Sequence, residues 1–93
     1  MDVLLVTYDL NAEKSKDDYE GFYGVIKQGA WARLSESAYV ISTSSSPAEV
    51  FDQLRPYIDE NDRVLVIRLE APWAGRHAQE VVDWLRKYAP FVC

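Results

Sequence analysis

Cysteine is almost missing from this 93-residue chain, whose only one is Cys93, the last residue. An intrachain disulfide is therefore excluded, and so are a CxxC redox pair and a cysteine zinc cluster. A thiol at that position has little backbone to hold it, which argues against a nucleophilic role. Histidine is equally scarce: His77 is the single imidazole, and it opens the last helical segment, where a surface or capping role suits it better than that of a general base. No Ser, His and Asp set, glycine-rich phosphate loop or metal-ligand cluster can be read from the chain. No apolar run approaches the ~20 residues that a membrane span needs. Met1 leads into an apolar strand without the basic start of a signal pattern, so the expected location is cytoplasmic. Positive charge is also in deficit, with ten Lys and Arg against fifteen Asp and Glu and a net charge of −5. That balance works against a protein whose whole surface binds phosphates without selectivity.

What the chain has in quantity is apolar and aromatic surface: 48% of residues are hydrophobic, including three Trp, six Tyr and three Phe. Patterning runs from end to end without a linker, which predicts one domain over residues 1–93. Residues 3–9 read VLLVTYD, and Val3 to Tyr8 are apolar on both faces apart from Thr7, the signature of a strand in the middle of a sheet. Residues 11–18 (NAEKSKDD) read as a polar loop entering a helix, with Asp17 or Asp18 as its cap. Tyr19, Phe22, Tyr23 and Ile26 then follow helical spacing, with Gly21 and Gly24 weakening the helix and Gly29 ending it. Residues 30–34 and 38–43 form a predicted hairpin. Ser46, Pro47 and Glu49 spell a capping box for a helix that carries Val50, Phe51 and Leu54 and stops near Pro56. Residues 64–69 (VLVIRL) form a second strand apolar on both faces except at Arg68. Ala78, Val81, Val82 and Leu85 give a third helix that Pro90 closes.

The order strand, helix, strand, strand, helix, strand, helix predicts an α+β fold. Its form is a ferredoxin-like βαββαβ sandwich with an additional C-terminal helix, the core being residues 1–70 and the extension 71–93. Both core helices would cover one side of the sheet. Strands apolar on both faces cannot leave the other side to water, so either the third helix or a second subunit must cover it.

Three stretches carry a family resemblance: VLLVTYDL at the start, SESAYVIS after a helix that ends in glycine, and DRVLVIRL as the closing strand. Over residues 1–70 the chain resembles the small CRISPR adaptation protein of the Cas-two type and its virulence-associated protein D relatives, as a divergent branch. The resemblance implies a homodimer in which Asp9 and its symmetry mate hold a divalent metal, Mg²⁺, for phosphodiester hydrolysis of RNA or DNA. Catalytic and metal-ligand roles thus fall on Asp9. The chain differs from that family in offering Glu13, Lys14 and Lys16 where arginines are common, and in ending with a helix instead of a further strand.

From the residues alone, Asp9 reads first as a turn residue, with Asn11 two positions on. Tyr8, Arg33 and Arg63, in or beside strands, are candidate nucleic-acid contacts. Trp31, Trp73 and Trp84 could stack on bases or fill a core or interface. The competing function is a non-catalytic homodimeric adaptor that binds protein through its open sheet face and last helix.

Overall fold

The computed structural model describes residues 1–10, 16–70 and 73–89, with the backbone alone for 16–18. Pro90, Cys93 and the charges of 11–15 lie outside these residues. The elements are β1 (Asp2–Asp9), α1 (Lys16–Ile26), β2 (Trp31–Ser35), β3 (Ala38–Thr43), α2 (Pro47–Leu54), β4 (Arg63–Leu69) and α3 (Gln79–Tyr88). The result is a small α+β domain built on one four-stranded sheet in the order β2-β3-β1-β4. Every neighbouring pair is antiparallel. The two-sided apolar run of β1 occupies a central position, as its pattern requires, and β4 is its neighbour on one side.

Because side chains alternate along a strand, β1 feeds two separate cores. Leu4, Val6 and Tyr8 join Tyr39 and Ile41 of β3 beneath Phe22 and Ile26 of α1 and Val50 and Leu54 of α2. Val3, with Leu5 packed alongside, joins Val40 beneath Val81 and Leu85 of α3. The third helix thus lies on the sheet face opposite α1 and α2, and both faces of β3 lie under helices. Cover on the α3 side is incomplete. Leu65 and Ile67 of β4 are 63% and 48% exposed, and β4 has a strand partner on one edge only.

Helix α1 begins at Lys16, so Asp17 and Asp18 sit in its first turn and do not cap it. Acidic residues there still suit the positive end of the helix dipole. Helix α2 has the expected capping box: Glu49 N–H donates to Ser46 Oγ at 3.1 Å, and Ser46 N–H donates to Glu49 Oε1 at 2.9 Å. Pro56 does not stop the chain from turning, which tightens into a short 3-10 helix over Arg55–Tyr57. This turn explains Gly21. A Cβ placed there would come within 2.2 Å of Cε1 of Tyr57, so the glycine lets the tyrosine ring lie against the backbone of α1.

Two outcomes follow from these contacts. Gly21→Ala adds helix propensity but displaces Tyr57. It is expected to destabilise the native sequence, yet to stabilise a Tyr57→Ala background by about 1 kcal/mol, a reversal read by denaturant melts of the four proteins. Ser46→Ala is expected to cost about 1 kcal/mol. The hydrogen bond donated by the Ser46 backbone N–H, with a smaller contribution from the Ser46 hydroxyl, holds the Glu49 carboxyl below its ordinary pKa. The unfolded state therefore binds the proton more readily, so the contribution of Glu49 is present above its unfolded pKa and is lost as pH falls through the folded value. Melts of Glu49→Ala and native protein should converge on acidification.

Candidate functional site

The end of β1 divides its last two residues between the faces of the sheet. Asp9 stands opposite Arg63 in the β1–β4 register, Thr7 opposite Leu65 and Leu5 opposite Ile67. Directly opposed residues share a face, so Asp9 and Arg63 lie at one end of the exposed Leu65–Ile67 stripe, on the side of α3. Thr7, Asp9, Arg63 and Leu65 line a shallow recess there of about 150 Å³. Asp9 and Arg63 are both exposed, and among the described residues they form no ion pair with each other. Nor do the described residues hold any group of three or more His, Cys, Asp or Glu side chains that could surround a metal. One chain therefore brings a single carboxylate to this recess, an oxygen ligand of the type Mg²⁺ prefers but short of a complete set.

Tyr8 points the other way, into the core under α1, and is 7% exposed. Its ring meets Phe22 at 5.1 Å and Tyr23 at 6.0 Å edge-on, and stacks on Tyr39 at 6.3 Å. Its hydroxyl donates to the Glu36 carbonyl at 3.2 Å, and its backbone N–H donates to the Ser37 carbonyl at 2.9 Å. Both bonds fasten the β2–β3 turn to the end of β1. Burial pushes the phenol well above its ordinary pKa, with smaller contributions from Tyr23 and Tyr39 and with Arg33 opposing. The hydroxyl is thus a neutral donor already in use.

Arg33 lies on the face of Tyr8, two strands away from Asp9. It faces Tyr39 across the hairpin, just before a bulge at which the register shifts between Arg33 and Ser35. Its Nε–H donates to the Ser35 carbonyl at 3.1 Å, and its guanidinium carbon lies 5.9 Å from the centre of the Tyr39 ring. Beside it is a residue that the sequence reading passed over. Lys27, just past the end of α1, holds its ammonium 4.8 Å from the Trp31 ring centre and 5.9 Å from those of Tyr23 and Tyr39. The signal was present in the spacing of Tyr23, Lys27 and Trp31, four residues apart, but it needed β2 to fold back beside α1. Such cation–ring contacts are worth about 0.5–1 kcal/mol each at an exposed site.

The sequence-predicted residues therefore fall into two places. Asp9 and Arg63 meet on the α3 face, while Tyr8 and Arg33 belong to an aromatic cluster on the α1 face. Trp73 and Trp84 pack with α3, the Trp73 indole N–H donating to the Ala89 carbonyl at 2.7 Å. The ring of His77 bonds at its two nitrogens to the Leu34 carbonyl and the Ala78 N–H, fixing the segment that leads into α3. No protein-family model matches the chain, and no solved structure is a significant match to it.

Removing the Tyr8 hydroxyl tests its structural role. Tyr8→Phe is expected to cost about 1 kcal/mol. Since its folded pKa is raised, the contribution of Tyr8 is complete below the ordinary phenol value of about 10 and falls as pH rises beyond it. Phenolate absorbance on alkaline titration should show a late-ionising tyrosine that is absent from Tyr8→Phe.

Proposed function

We propose that the chain follows the ferredoxin-like plan and acts, like proteins of the Cas-two type, as a homodimer in which two Asp9 carboxylates hold Mg²⁺ for cleavage of RNA or DNA. The observation that carries this reading is the exposure of Leu65 and Ile67 on the face and at the end of the sheet where Asp9 stands. A stripe of aliphatic side chains at an edge strand favours burial against a partner. A two-fold contact made there would draw the Asp9 residues of both subunits toward one another, supplying the second carboxylate that a single chain lacks. The strand order β2-β3-β1-β4, with α1 and α2 on one face, is the order of a ferredoxin-like sandwich and supports the plan.

Within such a dimer the paired Asp9 groups bind the cation, and Arg63, one strand across, offers positive charge to the phosphodiester. The bound Mg²⁺ would lower the pKa of a coordinated water and offset charge that builds on the phosphate. The same apolar stripe supports a second reading, in which the dimer or its exposed face serves as a non-catalytic adaptor.

The two readings part on one set of assays. Labelled single-stranded RNA and DNA incubated with Mg²⁺ should be cut by the native protein and slowed at least about a hundredfold by Asp9→Ala, the scale of an essential catalytic group. Leu65→Asp should shift the solution mass from dimer to monomer and remove cleavage with it. Equal cleavage by Asp9→Ala would refute the site. A dimer that cuts neither substrate would leave the adaptor reading.

A further inference from the structure

The aromatic cluster on the α1 face opens into a groove of about 410 Å³ lined by Glu20, Tyr23, Gly24, Lys27, Arg33 and Tyr39. Trp31 borders it, 39% exposed, with its ring 5.7 Å from that of Tyr39. Its wall along α1 is left low by Gly24, where a Cβ would meet no atom within 4 Å. On a chain of net charge −5, two cations converge here, the Lys27 ammonium and the Arg33 guanidinium each 5.9 Å from the centre of the Tyr39 ring. Among the described residues neither has a carboxylate within ion-pair distance. Glu20 is the one acid in the lining.

This combination selects a ligand. A small inorganic anion would use the cations and leave the rings idle, whereas an apolar ligand would strand the cations. A planar ring joined to a phosphate uses both. We propose that the groove binds a nucleotide unit of a single strand, with its phosphate between Lys27 and Arg33 and its base on the face of Trp31. The ammonium of Lys27 rests on rings and on no carboxylate, so engaging a phosphate requires no ion pair to be broken. As the ammonium moves to the phosphate it uncovers the Trp31 face, and the base replaces it there. The preference for single strands arises because a duplex keeps its base faces stacked within itself. This site shares with the proposed nuclease only its class of partner. It lies on the opposite sheet face from Asp9 and requires no metal.

The test is binding of a fluorescein-labelled oligothymidylate, followed by anisotropy in EDTA so that cleavage plays no part. The expected result is a saturable complex that Trp31→Ala weakens about tenfold or more and Trp31→Phe largely restores. Its affinity should fall with salt at a log–log slope of about −0.7, as for one phosphate on a single strand, and Lys27→Ala should make that slope shallower. Thymidine monophosphate should compete where inorganic phosphate at equal concentration does not. Amide shifts of the native protein on adding the oligonucleotide should cluster in residues 20–27 and 31–39, which requires no variant to fold. The proposal is overturned if no complex forms, if Trp31→Ala binds as well as native protein, or if a duplex of the same length binds equally with no dependence on Trp31. It is also overturned if the shifts map elsewhere, or if an acidic peptide binds the groove where the oligonucleotide does not. Loss of Mg²⁺-dependent cleavage in Asp9→Ala with this binding intact would separate the two sites. Native protein that binds but never cleaves would leave the groove standing without the nuclease.

Discussion

The sheet is apolar on both of its faces, and the rest of the molecule follows from having to cover them. β1 and β3 each send side chains into two cores, so neither face can be left to water without exposing a continuous aliphatic surface. Two helices cover one face. On the other a single helix must suffice, and α3 packs chiefly against β2. It is held near its start by the His77 contact with the Leu34 carbonyl and at its end by the Trp73 bond to Ala89. One helix, roughly 10 Å across, cannot span four strands spaced about 4.8 Å apart. The deficit falls on the strand farthest from α3, which is β4, and Leu65 and Ile67 are exposed for that reason.

Much of this architecture is legible in the residues. Alternation and helical spacing place seven of the main elements, and the Ser46-Pro47-Glu49 signature identifies its cap correctly because capping is local, decided within four residues. What escapes the sequence is set by distant parts of the chain. The run VLVIRL reads the same in a buried strand as in a half-covered edge strand, since periodicity records which residues alternate and not what lies above them. Gly21 looks like a defect in a helix until Tyr57, brought back by the turn after α2, is found against it. Asp17 and Asp18 read as caps although they lie inside the first turn of α1, because polar residues mark a helix start only to within a few positions.

The candidate sites show the same division. Asp9 and Arg63 could each be singled out, but their pairing depends on strand register. Tyr8 and Arg33 share a face for the same reason, with Tyr8 committed to the core and Arg33 to its rim. Lys27 is marked in the sequence only by its spacing from Tyr23 and Trp31: a lysine after a helix is ordinary, and only the hairpin folding back beside α1 surrounds it with three rings.

Because neighbouring residues of a strand point to opposite sides, Tyr8 and Asp9 report to different halves of the molecule although they are adjacent in the chain. A partner subunit seated on the Leu65–Ile67 stripe would cover the side of Asp9 and leave the Lys27–Arg33 groove facing outward in both copies. The converse holds as well: a ligand in the groove meets α1 and the hairpin and has no contact with β4. The two surfaces can therefore be occupied together. What connects them is the end of β1, where Tyr8 fastens the hairpin turn through Glu36 and Ser37 while Asp9 stands one residue further on the opposite face. Movement of the hairpin on ligand binding would pull directly on that end of β1, and the rigid aromatic packing of Tyr8 against Phe22, Tyr23 and Tyr39 opposes such movement. The packing that makes Tyr8 unsuitable for proton transfer thus holds two otherwise independent surfaces in fixed relation.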